Sequence, residues 1–261
     1  MILVIDTGNT TTVAGIFDGD ELIAHWRLSS ILHTLSSILH TADELGIYLL
    51  NLLATKNIKP SDIKGAAFAS VVPSLDFSMT EAIKNYFNVV PLQVNAKTNT
   101  GMKILVKNPN EVGADRIVNA LAGREKYGSP LIVADYGTAI TFDVVSPEGD
   151  YLGGVIAPGL QSGISALFSK AAKLPQVALS IPDNVIGRST EEAIQSGIVF
   201  GNAGLTDRIV EMIRSNPGLE NAKVIATGGH AGLMKKVSKN IDVVDNWLML
   251  EGLKLILSMN E

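Results

Sequence analysis

Apolar residues fall in short runs between turn signals, and the period of those runs changes in the same order twice. Residues 2–5, 10–17 and 21–28 read as three strands. Asp18-Gly19-Asp20, between the last two, is a hairpin signal. The spacing then turns helical over 41–57, with Leu45, Tyr48, Leu49, Leu52 and Leu53 on one stripe. Lys64 to Val72 predicts a buried strand stopped by Pro73. A helix at 76–87 and a short strand at Val89-Val90 follow.

The second half repeats this order. Strands are predicted at 131–135, 138–145 and 151–156, and helices at 161–172, 190–214 and 231–238. Lys223 to Thr227 is a strand in the place that Ala67 to Val71 holds in the first half, and a last helix covers 248–258. A helix at 111–126 joins the halves. Three strands, helix, strand, helix, occurring twice, predicts an α/β chain of two ribonuclease-H-like domains, the arrangement of the actin, sugar-kinase and Hsp70 superfamily. A plain doubly wound fold lacks the opening hairpins. The expected division is 1–110 and 111–261, with a nucleotide cleft between the two domains. The heptad Leu28 to Thr34 is repeated unchanged as Leu35 to Thr41, with helical apolar spacing. It reads as a local duplication that lengthens a surface element.

The two halves share a motif. Asp6-Thr7-Gly8-Asn9-Thr10 and Asp135-Tyr136-Gly137-Thr138-Ala139 each follow an apolar run and open a β-rich stretch. Gly19 falls thirteen residues after Asp6, and Gly149 fourteen after Asp135. The glycines allow tight turns whose N–H groups approach an anion, and Asn9, Thr10, Thr11, Thr12 and Thr138 add donors for phosphate oxygens. A carboxylate beside phosphate is tolerable only through a metal ion, so Asp6 is expected to meet Mg²⁺ directly or through water. The chain has no P-loop sequence. Gly228-Gly229 after a buried strand offers a further place for backbone to approach a nucleotide.

Asn108-Pro109-Asn110 marks the start of the joining helix, with Asp115 and Arg116 in its first turns. A carboxylate there can accept a substrate hydroxyl's proton while the Arg binds an acidic group or the phosphoryl. A solvated first turn with an Asp favoured by the helix dipole explains the same residues. Spacing alone does not separate these two readings.

Composition narrows the classes. The 261-residue chain has 21 Lys and Arg against 26 Asp and Glu, a net charge of −5, which speaks against nucleic acid or an anionic membrane as partner. It has no cysteine, which excludes disulfides, thiolate catalysis and Cys zinc sites. The four histidines lack metal spacing, and no G-x-S-x-G elbow is present. With no leader pattern and no apolar run of membrane length, the expected location is cytoplasmic.

These residues also carry a family resemblance. Trp26-Arg27-Leu28-Ser29, Ser70-Val71-Val72-Pro73, Gly113-Ala114-Asp115-Arg116, Gly153 to Gly159, Ala172-Lys173-Leu174-Pro175 and Ala226-Thr227-Gly228-Gly229 join the two Asp-x-Gly loops. In this order they resemble the type III pantothenate kinases, nearly end to end. The resemblance implies ATP-dependent phosphorylation of pantothenate, the first step towards coenzyme A, by a homodimer. It implies Asp115 as general base. It assigns ATP to Asp6, Thr7, Gly8, Asn9, Thr10, Thr11, Thr12, Val13 and Thr138, and pantothenate to Gly113, Ala114, Asp115, Arg116 and Thr190, the last across the dimer. Asp135 would hold a monovalent cation, K⁺ or NH₄⁺, beside the Mg²⁺ requirement. Two departures stand out. Val106 occupies a position where many relatives carry Tyr, and the segment after Ser29 is lengthened, with no Lys or Arg between Arg27 and Lys56. Two other readings fit the residues: a kinase of another small hydroxy acid, and a non-catalytic nucleotide-binding regulator.

Overall fold

The computed structural model describes residues 1–30, 41–170 and 174–261. Most of the duplicated heptad lies outside the described residues. Of its described residues, Leu28 and Ser29 finish a strand rather than start a helix, Ser30 follows that strand, and Thr41 caps the next helix. The chain forms two compact units. The first holds Met1–Met102, Lys107–Ala122 and Met249–Glu261, and the second holds Lys103–Val106 and Gly123–Leu248. A single cut at residue 110 does not describe this division, because the joining helix contributes residues to both units and the last helix belongs to the first.

The first unit is built on a five-stranded sheet. β1 (Ile2–Thr7), β2 (Thr11–Asp18) and β3 (Glu21–Ser29) form an antiparallel meander. Gly19 makes the β2–β3 turn at φ 57°, in the left-handed region that glycine enters without a Cβ penalty. Helix α1 (Ala42–Ala54) follows, then β4 (Gly65–Ser70), which pairs parallel with β1. Helix α2 (Pro73–Phe87) leads to β5 (Leu92–Gln93). The sheet order is β3-β2-β1-β4-β5.

The start of α1 carries a capping box: Thr41 Oγ1 accepts from Glu44 N at 3.2 Å, and Thr41 N donates to Glu44 Oε2 at 2.8 Å. Such a cap stabilises a helix by about 1 kcal/mol. Leu49 and Leu53 of α1 and Met79, Ile83 and Phe87 of α2 bury against Leu3, Ile5, Ile16 and Phe68 on one sheet face. Each large apolar side chain so buried contributes roughly 1.5–3 kcal/mol.

Two boundaries differ from the sequence expectation. Pro73 starts α2 rather than preceding it, since proline at the first helical position gives up only an N–H that has no helical partner. The short strand is Leu92–Gln93, not Val89-Val90, because Asn88 ends α2 in the left-handed conformation (φ 55°) and the next residues turn the chain.

After β5 in the chain, Pro109–Glu111 forms a single 3₁₀ turn, and helix α3 runs Ala114–Tyr127. The helix therefore starts three residues later than expected. Asn108-Pro109 caps the short turn, with Asn108 accepting from Asn110 N, and α3 begins from Gly113, whose carbonyl accepts from Arg116 N and Ile117 N.

The second unit repeats the topology. β6 (Leu131–Tyr136), β7 (Ala139–Val145) and β8 (Tyr151–Pro158) form the meander, with Gly149 at φ 86° in its turn. Helices α4 (Leu160–Lys170) and α5 (Thr190–Arg214) precede β9 (Lys223–Thr227), which pairs parallel with β6. Helix α6 (Ala231–Met234) is shorter than the stretch predicted to 238, and it leads to a short strand, β10 (Val243–Val244), which the sequence reading did not foresee. The order β10-β9-β6-β7-β8, read from its other edge as β8-β7-β6-β9-β10, repeats the first sheet's β3-β2-β1-β4-β5. Ile132, Ala134, Tyr136, Ile140, Phe142, Val224 and Ala226 form its core with α4, α5 and α6. The Tyr136 phenol hydrogen-bonds Thr206 Oγ1 at 3.0 Å, and burial pushes its pKa up to about 12, so it stays neutral.

The last helix, α7 (Leu248–Met259), belongs to the first unit from Met249 on. Leu250 lies over Gly15 and Gly252 sits against α3: a methyl group on Gly252 would come within 2.6 Å of Val118 Cγ1 and 2.8 Å of its carbonyl oxygen. Among the described residues, no helix is long and apolar enough to cross a membrane.

Candidate active site

In the first unit the candidate residues gather at the C-terminal ends of the parallel strands β1 and β4, where ligands of open α/β sheets bind. Asp6 is the penultimate residue of β1 and is half-buried. Strand alternation puts it on the face of Val4, which lies with Leu22 and Leu250 around Gly15. Thr7 points the other way. Its side chain is 1 % exposed, so its hydroxyl is not on the solvent side of the loop.

Gly8 closes the turn by donating its N–H to Thr11 O at 3.0 Å, and a Cβ there would press on that same carbonyl at 2.9 Å. Asn9 and Thr10 stand exposed at the tip. Thr12 Oγ1 is 2.9 Å from Ser30 Oγ, and Val13 pairs with Asp6 across the ladder.

Asp115 reaches the same neighbourhood. Val71, just after β4, donates its N–H to Thr7 O at 3.0 Å. Gly113 lies beside Val71, and a methyl group on it would overlap Asp115 Oδ1 and stand 3.8 Å from Val71 Cγ1. Asp115 Oδ1 accepts from Arg116 N at 2.9 Å. Burial is the largest influence on this carboxyl and raises its pKa, opposed by the Arg116 N–H and guanidinium charge. The result is a carboxylate held above the ordinary range, which suits a general base. Arg116 is half-buried beside it.

In the second unit Asp135 is half-buried near the end of β6, and three features converge on it. Thr141 faces it across the antiparallel ladder, and Thr227 across the parallel one. Gly228, at φ 88°, lies against it: a methyl group there would overlap Asp135 Oδ1 and come within 2.8 Å of Tyr136 N. The following loop is fixed by His230 N donating to Tyr136 O at 3.3 Å. Sequence alone suggested Gly228-Gly229 as a backbone approach. The structure adds that its partner is Asp135, and the signal for it is only the parallel pairing of two strands far apart in sequence.

Thr138 is exposed at the tip of the β6–β7 loop. Its carbonyl accepts from Gly159 N at 3.1 Å and from Ser162 Oγ at 2.7 Å, which anchors the loop to the start of α4. Sequence reasoning gave Gly159 and Ser162 no role of their own. The Pro158-Gly159 pair ahead of a helical stretch is the signal that marks the spot. Thr190 is exposed on the first turn of α5, after the cap in which Ser189 Oγ accepts from Glu192 N at 3.1 Å. Val106 lies beside β8, where a methyl group on Gly153 would meet its Cγ1 at 3.4 Å.

A family model for type III pantothenate kinase matches residues 2–212. The type III pantothenate kinase of Finegoldia magna is 45 % identical over 263 aligned residues, covering 100 % of this chain and 98 % of its own. That of Syntrophus aciditrophicus is 45 % identical over 260, covering 100 % of both. Two solved structures share the fold at lower identity. The Clostridium difficile activator of 2-hydroxyisocaproyl-CoA dehydratase with bound ADPNP has a TM-score of 0.55 at 14 % identity, covering 99 % of this chain and 93 % of that one. The polyphosphate/ATP-glucomannokinase of an Arthrobacter strain has a TM-score of 0.51 at 12 % identity, covering 100 % and 99 %. The repeated sheet order is thus that of the sugar-kinase and actin-like fold, and the full-length relatives show that this chain belongs to the type III pantothenate kinase family.

Proposed function

We propose that the protein transfers the γ-phosphoryl group of ATP to the hydroxyl of pantothenate, giving 4'-phosphopantothenate and ADP, the first step of coenzyme A biosynthesis. The observation that carries this reading is the half-buried Asp115 at the first turn of α3, next to the strand ends that hold the Asp6 loop. The full-length relatives named above support the substrate. A kinase of another hydroxy acid and a non-catalytic regulator are not favoured.

Phosphoryl transfer asks little covalent chemistry of a protein; it asks for an in-line hydroxyl and stabilised charge. Asp115 accepts the hydroxyl proton as the oxygen attacks phosphorus, and its raised pKa improves it as a base. Arg116 holds the acidic substrate, with Gly113 and Ala114 leaving room for it. Residues 6–13 and Thr138 hold ATP through loop N–H groups and hydroxyls. Thr190 completes the pantothenate site across a homodimer, and the reaction takes place in the cytoplasm.

Asp6 suits Mg²⁺ shared with the triphosphate: among the described residues no group of three His, Asp or Glu could chelate a metal unaided. Bound there, Mg²⁺ neutralises phosphate charge. Asp135 suits a monovalent cation as a half-buried carboxylate that the Gly228 backbone approaches closely, where a side chain would overlap its Oδ1. The test is an ATP-coupled assay with pantothenate, with and without K⁺ or NH₄⁺, beside Asp115→Asn. No turnover under any condition sinks the reading.

A further inference from the structure

Arg27 lies on β3, at the same end of the first sheet as the Asp6 loop, and no other lysine or arginine precedes Lys56. The antiparallel register sets Asp6 opposite Val13, and Val13 opposite Arg27. Directly opposed residues point to the same face of a sheet, so the three side chains form one rank across β1, β2 and β3. The irregularity in the β2–β3 pair falls between Ile16 and Phe17, away from this rank. Burial along β3 follows the same alternation: Ala24 is buried and Trp26 and Leu28 are half-buried, while His25, Arg27 and Ser29 are exposed. The end of β3 is tied to the loop itself. Ser30 N donates to Thr10 O at 2.8 Å, and Ser30 Oγ lies 2.9 Å from Thr12 Oγ1.

Charge decides what this rank can hold. The phosphate chain of a nucleotide carries several negative charges, yet residues 6–13 bring only uncharged donors and the carboxylate of Asp6. The nearest positions on the face of Arg27 are Thr11, Val13 and Gly15 on β2 and His25 and Ser29 on β3, none of them acidic. No hydrogen bond or ion pair joins Arg27 to another described residue. Elsewhere in the unit, Lys84 is engaged by Glu81 and Lys254 by Asp20. Neighbouring strands are about 4.8 Å apart, so Arg27 stands roughly 10 Å from Asp6 with the short, uncharged Val13 between them. A phosphate lying over Val13 is flanked by Asp6 on one side and by a long, permanently charged side chain on the other. The guanidinium fork takes two phosphate oxygens at once.

We propose that Arg27 binds the phosphate chain of the nucleotide held by the Asp6 loop, supplying the positive charge that the loop lacks. This rests on the nucleotide reading of residues 6–13 given above.

The test uses the full chain. Binding of ADP and of a non-hydrolysable ATP analogue is measured by calorimetry, which needs no turnover, and the KM for ATP and for pantothenate by the coupled assay. Arg27→Gln and Arg27→Met are expected to weaken both nucleotides about tenfold or more and to raise the KM for ATP by a similar factor, with the KM for pantothenate near the parent value. Arg27→Lys keeps the charge without the fork and should fall between them and the parent. If Gln and Met bind both nucleotides like the parent, Arg27 is a solvated surface residue and the proposal falls. If Lys is no better than Gln, charge is not what Arg27 supplies and the proposal falls. If Gln and Met both weaken pantothenate equally, or both melt well below the parent, a structural fault explains the loss and the proposal falls. If the parent itself binds neither nucleotide, the reading of residues 6–13 fails as well.

Discussion

Arg116 donates its backbone N–H to the carboxylate of its own neighbour, Asp115, across 2.9 Å. That bond and the guanidinium charge favour ionised Asp115, while burial disfavours it more strongly. The acidic limb of kcat against pH is therefore expected above the ordinary carboxylate range of about 4. Asp115→Asn should lower kcat by roughly 10²–10⁴ with little change in the KM for ATP. A variant that keeps most of its turnover would remove Asp115 as the base.

The same residue makes a stability prediction of opposite sign. Its folded pKa is raised, so its contribution to stability is full below the unfolded value and is lost as pH rises through the folded one. At neutral pH ionised Asp115 weakens the fold. Asp115→Asn is expected to melt higher than the parent at pH 7 and level with it in acid. An Asn variant that melts lower at pH 7 would contradict the burial argument.

Arg116 is predicted to act on substrate binding. A lysine keeps the charge but not the planar fork that pairs with a carboxylate. Arg116→Lys should raise the KM for pantothenate by about tenfold or more, the worth of a charged hydrogen bond. The KM for ATP should stay near the parent value. Equal rises in both would point to a general structural fault.

The repeat of strand order was readable because its markers are local: an Asp after an apolar run, a glycine turn, then Gly19 and Gly149 at positive φ. The start of α3 was not, because Asn108-Pro109 is as good a signal for a 3₁₀ turn as for a helix, and only the fold shows that Gly113 begins the helix. The contact of Gly228 with Asp135 depends on the parallel pairing of Asp135 with Thr227, which no local pattern announces. The burial of Asp143, at 0 % exposure, was hidden differently. In Thr141-Phe142-Asp143 the alternation reads as polar side chains facing water, but this face is covered too, with Val133 opposite Asp143 and fully buried.

Asp245 gives a prediction far from the chemistry. Burial alone would raise its pKa, but Lys126 at 2.8 Å, the Tyr127 hydroxyl at 2.8 Å and Trp247 N at 3.1 Å together bring it below the usual value. A lowered pKa means stability present above the unfolded value and lost as pH falls through the folded one. Tyr127→Phe is expected to cost about 1.5–3 kcal/mol at neutral pH. The difference should shrink below about pH 4, where the unfolded carboxyl takes up its proton. Urea titrations at pH 7 and pH 3.5 check it, and a difference independent of pH would sever the link to Asp245.

Gly228 and Gly128 separate backbone strain from site geometry. Both have positive φ, 88° and 80°. A side chain at either pays roughly 1–2 kcal/mol for the left-handed conformation. Gly128 has nothing within 4 Å of an added Cβ, whereas at Gly228 the methyl meets Asp135 Oδ1 and the Tyr136 backbone. Gly128→Ala is therefore expected to melt lower but to turn over like the parent. Gly228→Ala pays the same strain and in addition displaces the Asp135 carboxylate. It should lose most of its kcat and, on the cation reading of Asp135 proposed above, show no rise in melting temperature with K⁺ where the parent is expected to show one. Melting curves with and without K⁺, set beside kcat for both variants, decide the matter. A Gly228→Ala protein that keeps the kcat of Gly128→Ala would mean that the close approach of Gly228 to Asp135 Oδ1 is not needed for catalysis.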